Sequence, residues 1–320
     1  MNTSKVELIV RKLQNFSQRE LSRPRVELLS SSNNIVVRAP GDGDDLVLKA
    51  LVDTDVDLEI WNMFAPRIRD SVLTVPTLES RVIHGEGDSN DLPILISKYV
   101  EWPNLVDWLP ENSFATIERS YIDICARVIE LGMTLAPPRE GFGPFKRNLP
   151  LYPSPQAYYA GQIKKFAGRI AATGVEQPLN WRAFGERMTE AFDRYLDDEA
   201  KFGIMPVDLN FKNFLVTDNN ELVLLNIPIF IHGPLGHGLA SAVLQARGQA
   251  RHEQVAKELV ARFPGVRYET LALFECYNLL GVIAFYAHDG PEPILETPMW
   301  GSDRLLVDVM VETGCIAGIV

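Results

Sequence analysis

The sequence predicts an α+β chain in two lobes, a small strand-rich one over residues 1–100 and a larger, mainly helical one over residues 101–320. Three observations carry this expectation. A chain of 320 residues exceeds what one core usually serves, at roughly 150 residues per domain. Strand and turn signals crowd the first third, and helical periodicity takes over from about residue 112. Within the helical remainder stands one isolated hairpin pattern, between Phe214 and Leu225.

The first lobe opens with a hairpin. Asn34–Ala39 is β-branched, Gly41-Asp42-Gly43-Asp44-Asp45 is a strong turn signal, and Leu46–Leu51 forms the return strand. That strand holds a single lysine, Lys49, among apolar neighbours. A helix follows, capped by Thr54 or Asp55, with Val56, Ile60, Phe64 and Ile68 at helical spacing and Glu59 on its surface. Further strands are expected around Val72–Val75 and Leu92–Val100. The break at Glu101-Trp102-Pro103-Asn104 places the joint between lobes near Lys98–Asn104.

In the second lobe, Phe114, Ile117, Tyr121, Ile124, Val128 and Leu131 line one face of a long helix, with Asn112 or Ser113 as cap and Pro137-Pro138 as stop. A Gly/Pro-rich connection leads into a less regular tyrosine- and proline-containing segment, and a second helix is predicted from about Trp181 to Tyr195. Phe214–Val216 and Leu222–Leu225, separated by an Asp-Asn-Asn turn, form the isolated hairpin. Helices fill the rest. Tyr158, Tyr159 and Phe166 suit either a ligand pocket or core packing.

Composition narrows the classes. The formal charge of -11 argues against nucleic acid as a partner, because such proteins present a basic face to phosphates. It would accommodate a cationic small molecule. No apolar run approaches the ~18 residues that a membrane span needs, nor the N-terminal run of a signal peptide, so the expectation is a soluble, cytoplasmic protein. Cys125, Cys276 and Cys315 are far apart and read as buried, reduced thiols. His232 and His237 lack a third ligand at metal spacing and read as loop histidines. Asp197-Asp198-Glu199 reads as a solvated helix end.

The informative stretch is Pro206-Val207-Asp208-Leu209-Asn210-Phe211-Lys212-Asn213, directly before the hairpin. An Asp and an Asn five residues apart suit phosphoryl transfer, in which a carboxylate faces the acceptor hydroxyl and an amide oxygen holds magnesium. The spacing alone arises by chance about once in a chain this long, and the strand–turn–strand after it supplies the context. Lys49 and Glu59 upstream supply the pair that grips nucleotide phosphates.

Here the chain resembles the aminoglycoside phosphotransferase/choline kinase family, which has a two-lobed protein-kinase-like fold. Such proteins carry H-G-D-x-x-x-x-N before a short strand, then a strand ending in I-D, then G-D-P…D-L-A. The corresponding stretches are Pro206-Val207-Asp208…Asn213, Leu225-Asn226 and Gly233-Pro234-Leu235-Gly236-His237-Gly238-Leu239-Ala240, with a hinge-like Tyr99-Val100-Glu101…Asn104-Leu105. The resemblance implies ATP and Mg²⁺ as cofactors. It implies Lys49 on the phosphates with Glu59 orienting it, backbone groups around Lys98–Val100 on the adenine, and Asp208 at the acceptor hydroxyl. Asn213 and Asn226 would hold the metal, and Ser30–Asn34 would stand where the family has a glycine-rich loop. The acceptor would be a small polar molecule; no pattern assigns an oligomeric state.

Three positions depart from the family. Pro206 replaces the histidine before the loop, Gly238 replaces the Asp that ties the loop down, and Asn226 replaces a metal-binding Asp. Losing that carboxylate weakens a magnesium site, and a loss of about 3–4 kcal/mol would slow transfer hundreds-fold or more. The alternative reading is a catalytically silent pseudokinase that binds nucleotide or serves as a scaffold.

Overall fold

The structure, a computed structural model, describes residues 3–30, 35–51, 62–64, 66–68, 77–84, 91–145, 150–175, 178–198, 201–225, 229–249, 251–288, 290, 292–299 and 304–320. These form two compact units. One comprises Met1–Trp102 with Phe145–Leu149 and Val223–Ile227; the other comprises Pro103–Pro144, Pro150–Leu222 and Pro228–Val320.

The first unit begins with a helix not predicted from the sequence, α1 (Thr3–Leu21). Ile9 and Leu13, four residues apart, are its inward face. Strands β1 (Glu27–Ser30), β2 (Ile35–Ala39), β3 (Leu46–Ala50), β4 (Thr77–Ile83) and β5 (Leu92–Lys98) form one sheet in the order β1-β2-β3-β5-β4. Every neighbouring pair is antiparallel. The predicted hairpin is present as β2–β3, with Ile35 opposite Ala50 and Ala39 opposite Leu46. Its turn is pinned by Arg38 to Asp45 at 2.5 Å, and Arg23 donates to the carbonyls of Ala39 and Asp44, each at 2.7 Å.

Period-2 alternation sorts the sheet into two faces. Ile35, Val37, Leu48, Ala50, Ile94 and Ile96 join Ile9 and Leu13 in one core, each branched side chain contributing about 1.5–3 kcal/mol by its burial. Lys49 falls between Leu48 and Ala50 and so lies on the opposite face. The strand expected at Val72–Val75 lies outside the described residues; β4 begins at Thr77. Most of the predicted helix after Asp55, Glu59 included, also lies outside them. Its last positions, Phe64 and Ile68, are helical and buried.

The second unit is mainly helical. It contains α2 (Leu105–Trp108), α3 (Glu118–Thr134), α4 (Pro155–Ala171), α5 (Trp181–Asp198), α6 (Leu235–Ala246), α7 (His252–Arg262), α8 (Tyr268–Tyr286), α9 (Glu292–Glu296) and α10 (Leu306–Ile316). The predicted long helix forms as a 3₁₀ turn, Phe114–Thr116, followed by α3. The segment expected to be irregular is helix α4. Ser154 caps it by accepting from the Ala157 amide, and Pro155 takes the first helical position, where a missing N–H costs nothing. Its Tyr159 packs among Phe192, Phe274 and Tyr277, and its Tyr158 against the rings of Tyr152 and Tyr159; both are buried core residues.

The hairpin predicted after the Asp208 loop is present as β8 (Phe214–Val216) and β9 (Leu222–Leu224). It is not the only sheet that residues 103–320 contribute to. Strands β6 (Gly143–Pro144), β7 (Phe202–Pro206) and β10 (Phe230–Pro234) form another, in the order β6-β10-β7. Helix α3 lies so close to β7 that a Cβ on Gly132 would come within 1.9 Å of the Ile204 carbonyl oxygen. Helices α6 and α8 run through the core; every residue of α6 is buried, as expected of helices apolar on all sides. Among the described residues, no helix is long and apolar enough to cross a membrane. Cys125 and Cys276 are buried free thiols, whereas Cys315 is exposed, contrary to the uniform burial expected.

Candidate functional site

Strand β7 delivers the chain to the site. Its antiparallel pairing with β10 runs from Phe202 opposite Pro234 to Pro206 opposite Phe230, and the Val207 amide continues it by donating to the Ile229 carbonyl at 2.8 Å. The next residues alternate. Leu209 and Phe211 turn into the core at 0% and 2% exposure, while Asp208, Asn210 and Lys212 line a cavity of about 400 Å³ within the second unit. The polar–apolar alternation of Asp208-Leu209-Asn210-Phe211-Lys212 thus presents its polar members on one side.

The loop is tied at several points. Leu209 N–H donates to Ser241 Oγ at 3.0 Å, and the Tyr121 hydroxyl donates to the Ala242 carbonyl at 2.8 Å, lying 3.4 Å from that of Leu209. Burial pushes the Tyr121 hydroxyl well above its ordinary pKa, so it remains a donor. Asn210 caps the 3₁₀ turn Phe211–Asn213 by accepting from the Lys212 amide at 2.9 Å. Phe211 meets the Tyr121 ring edge-on at 5.3 Å.

Asp208 and Asn213, five residues apart in sequence, are brought together. Asn213 Nδ2 donates to the Asp208 carbonyl at 2.9 Å and lies 3.3 Å from its carboxylate Oδ2. With Nδ2 so committed, Oδ1 is the Asn213 atom with the chemistry to ligate a cation. Two of the three departures from the family pattern are spatial neighbours. A Cβ on Gly238 would lie 3.1 Å from Met205 Sδ and 3.4 Å from Pro206 Cδ. Where the resemblance implies a carboxylate tying the loop, α6 packs directly on β7, and Ser241, three residues further along, receives the loop amide instead.

The other expected residues lie in the first unit or outside the described chain. Lys49 is half-buried on β3, opposite Val36 and Leu95, in the first unit. In the same unit Lys98 ends β5 and pairs with Asp44, and the Tyr99 amide donates to the Asp45 carbonyl at 2.8 Å. Val100 comes next as half-buried backbone past the end of β5. Glu59, Asn226 and most of Ser30–Asn34 lie outside the described residues, as do the side chains of the Asp197-Asp198-Glu199 run.

Helices α6 and α8 supply residues that no sequence motif singled out. Ser241, Leu244 and Gln245 line the cavity from α6; Asn278, Val282 and Tyr286, one turn apart, line it from α8. His237 is not a loop residue: it is buried in α6, with Nδ1 2.7 Å from the Tyr159 hydroxyl and Nε2 2.9 Å from Asn278 Oδ1. Burial lowers its pKa to about 3, so the ring is neutral, with Nδ1 accepting from Tyr159 and Nε2–H donating to Asn278. His232 lies on β10, stacked on Phe142 at 4.5 Å. Among the described residues, no group of three His, Cys, Asp or Glu is arranged to hold a metal ion.

The fold defined by these elements is protein-kinase-like, with a strand-rich N-terminal sheet and a mainly helical remainder, and small-molecule phosphotransferases share it. One such structure is a thermostable mutant of aminoglycoside phosphotransferase APH(4)-Ia in complex with AMP-PNP and hygromycin B. It is 15% identical, with TM-score 0.65, over 96% of this chain and 98% of that one. Choline kinase LicA from Streptococcus pneumoniae aligns at 13% identity and TM-score 0.60 over 98% of this chain and 100% of its own. Spectinomycin phosphotransferase APH(9)-Ia, in complex with ADP and spectinomycin, aligns at 12% identity and TM-score 0.58 over 96% and 97%. At such identities the likeness is one of fold. No protein-family profile and no curated protein matches the chain in sequence.

Proposed function

We propose that the chain is an ATP-dependent phosphotransferase that moves the γ-phosphoryl group to a hydroxyl of a small polar acceptor. The observation that carries this reading is Asp208: a half-buried carboxylate on the wall of a 400 Å³ cavity, in a loop tied to α3 and α6, with Asn213 beside it. The kinship of fold with aminoglycoside and choline kinases supports it.

In this reading Asp208 orients the acceptor hydroxyl. It takes the proton as the hydroxyl oxygen bonds to the γ-phosphorus and the phosphorus–oxygen bond to ADP breaks. Bound ATP supplies the phosphoryl group, and a magnesium ion supplies neutralising charge. Asn213 would hold that ion through Oδ1, together with Asn226. Lys49 would neutralise the phosphates, with Glu59 orienting it, and backbone around Lys98–Val100 would meet the adenine. Two amide oxygens make a weak protein cage for a hard cation, so this donor set fits an ion held chiefly by the triphosphate.

The pseudokinase reading draws on Asn226, which leaves the expected metal site one carboxylate short. Thermal unfolding with ATP, with and without Mg²⁺, separates the two. A ligand at a hundred times its dissociation constant stabilises the folded state by about 2.7 kcal/mol. The phosphotransferase reading expects Mg²⁺-dependent protection and ADP formation that falls at least about a hundredfold in Asp208→Asn. Metal-independent protection without ADP formation assigns the pseudokinase. No protection by ATP removes the phosphotransferase and the nucleotide-binding pseudokinase, and leaves the scaffold.

A further inference from the structure

Helix α8 turns one face to the cavity that holds Asp208: Asn278, Val282 and Tyr286, spaced four residues apart, all line it. Asn278 is tied from behind by a buried relay of hydrogen bonds. Its Oδ1 lies 2.9 Å from Nε2 of His237 on α6, and His237 Nδ1 lies 2.7 Å from the Tyr159 hydroxyl on α4. His237 and Tyr159 are 3% and 1% exposed, whereas Asn278 is half-buried at the cavity wall.

The relay runs one way. Among the described residues the Tyr159 hydroxyl has no other hydrogen-bond partner, so its single hydrogen is either given to Nδ1 or buried unpaired. The second arrangement forfeits a buried hydrogen bond. Burial keeps the phenol protonated and the imidazole neutral. A neutral ring that accepts at Nδ1 carries its hydrogen on Nε2 and donates it to Asn278. An Asn amide is able to turn either end outward; here the oxygen end is committed, and the NH₂ end remains. Among the described residues Asn278 Nδ2 has no partner, and, unlike the Gln245 oxygen, it is not closed off from solvent. A fixed donor on the wall of a small cavity is the kind of polar group that orients a ligand.

We propose that Asn278 is a specificity-determining residue of the cavity: Nδ2 donates to an oxygen of the acceptor molecule, and Tyr159, acting through His237, is the positioning residue that keeps the amide that way round. That the occupant is the acceptor rests on the phosphotransferase reading. The atom that meets Asn278 is a hydroxyl, ether, carbonyl or carboxylate oxygen and not an ammonium nitrogen, which has no lone pair to accept with. The contact is indifferent to charge elsewhere in the molecule.

The test offers MgATP with a panel of monosaccharides, alditols, amino alcohols, hydroxy acids and aminoglycosides to the full chain, and follows ADP formation and thermal unfolding. For the compound used best, each oxygen in turn is removed or replaced by an amine. One oxygen is expected whose removal raises KM about tenfold with kcat little changed, the effect of one neutral hydrogen bond. Asn278→Leu should show the same rise with the parent compound and no further rise with the matching deoxy analogue. Asn278→Asp, which still accepts from His237 but turns an acceptor atom to the cavity, should prefer the amine at that position; it also decides the matter if Asn278→Leu fails to fold. Tyr159→Phe, which frees the ring to change tautomer and the amide to turn over, should weaken the preference for oxygen over amine there, an effect that loosening of the core does not produce. An unchanged preference overturns the positioning role. Turnover in which the Asn278 variants treat the series as the wild type does, or lose kcat in place of KM, overturns the specificity role and leaves the phosphotransferase reading intact. An Asn278-dependent thermal shift without ADP formation keeps that role and removes the phosphotransferase reading. A panel that yields neither turnover nor shift overturns the assignment.

Discussion

A single buried amide, the N–H of Leu209, depends on a hydroxyl thirty-two residues away on α6. Removing that hydroxyl leaves a donor unpaired in a dry place, which costs about 1–3 kcal/mol, and it releases the backbone next to Asp208. Ser241→Ala should therefore lower urea resistance and, in the proposed reaction, lower kcat about tenfold or more, because the loop that carries Asp208 loses a tie. Ser241→Thr, which keeps an oxygen at the same branch point, should recover most of both. Unfolding titrations and steady-state ADP formation read the two effects separately.

Between elements, the two helices that wall the cavity are clamped by a buried ion pair. Arg247, just past the end of α6 and two residues beyond Gln245, pairs with Glu275 of α8, three residues before Asn278; their side chains are 1% and 0% exposed. Burial pushes the Glu275 carboxyl up from its ordinary range, and Arg247 pulls it back. A guanidinium keeps its proton at any accessible pH, so Arg247 stays charged. The other guanidinium nitrogens, Nη1 and Nη2, and Glu275 Oε1 have no hydrogen-bond partner, so the clamp is one contact and not a saturated network. Breaking it one-sidedly should cost far more than deleting it. Glu275→Gln is expected to destabilise by about 3–5 kcal/mol, and the double change Arg247→Met with Glu275→Leu to recover most of that, as measured by denaturant midpoints.

At the scale of the whole chain, the units are not simple consecutive blocks. The N-terminal unit includes Phe145–Leu149 and Val223–Ile227 from the second half of the sequence. A fragment ending at Trp102 should therefore lack a native circular-dichroism signature when produced alone. Co-expression with residues 103–320 should restore it. The interleaving was not legible in the sequence, because composition changes at Glu101–Asn104 and shows no further seam. The β2–β3 hairpin was legible, since a Gly/Asp-rich turn between two β-branched runs has few alternatives. Strands β7 and β10 were not: Phe202–Pro206 is buried almost throughout and shows no alternation, and its partner lies beyond a whole hairpin. Helix α4 was hidden because its segment is rich in tyrosine and proline, although Ser154-Pro155 is a start signal. Asp208 and Asn213 could be found because their spacing is local. Ser241, Gln245 and Asn278 lie on helices whose sequence neighbours are apolar, and packing alone brings them to the loop; polar residues four apart in the otherwise apolar α6 were the available clue.

That every residue of α6 is buried has an evolutionary consequence. Proteins usually diversify what they recognise by exchanging surface loops that the scaffold scarcely feels. Here Ser241, Leu244 and Gln245, which line the cavity beside Asp208, belong to the beam that carries the interior, so in the proposed function part of the binding wall is also core. A lineage adopting a new substrate would have to repack its own core while doing so, and each step would draw on a reserve of only about 5–15 kcal/mol. Selectivity in such a molecule is inherited along with its architecture, and a laboratory effort to redirect it should begin from a stabilised parent.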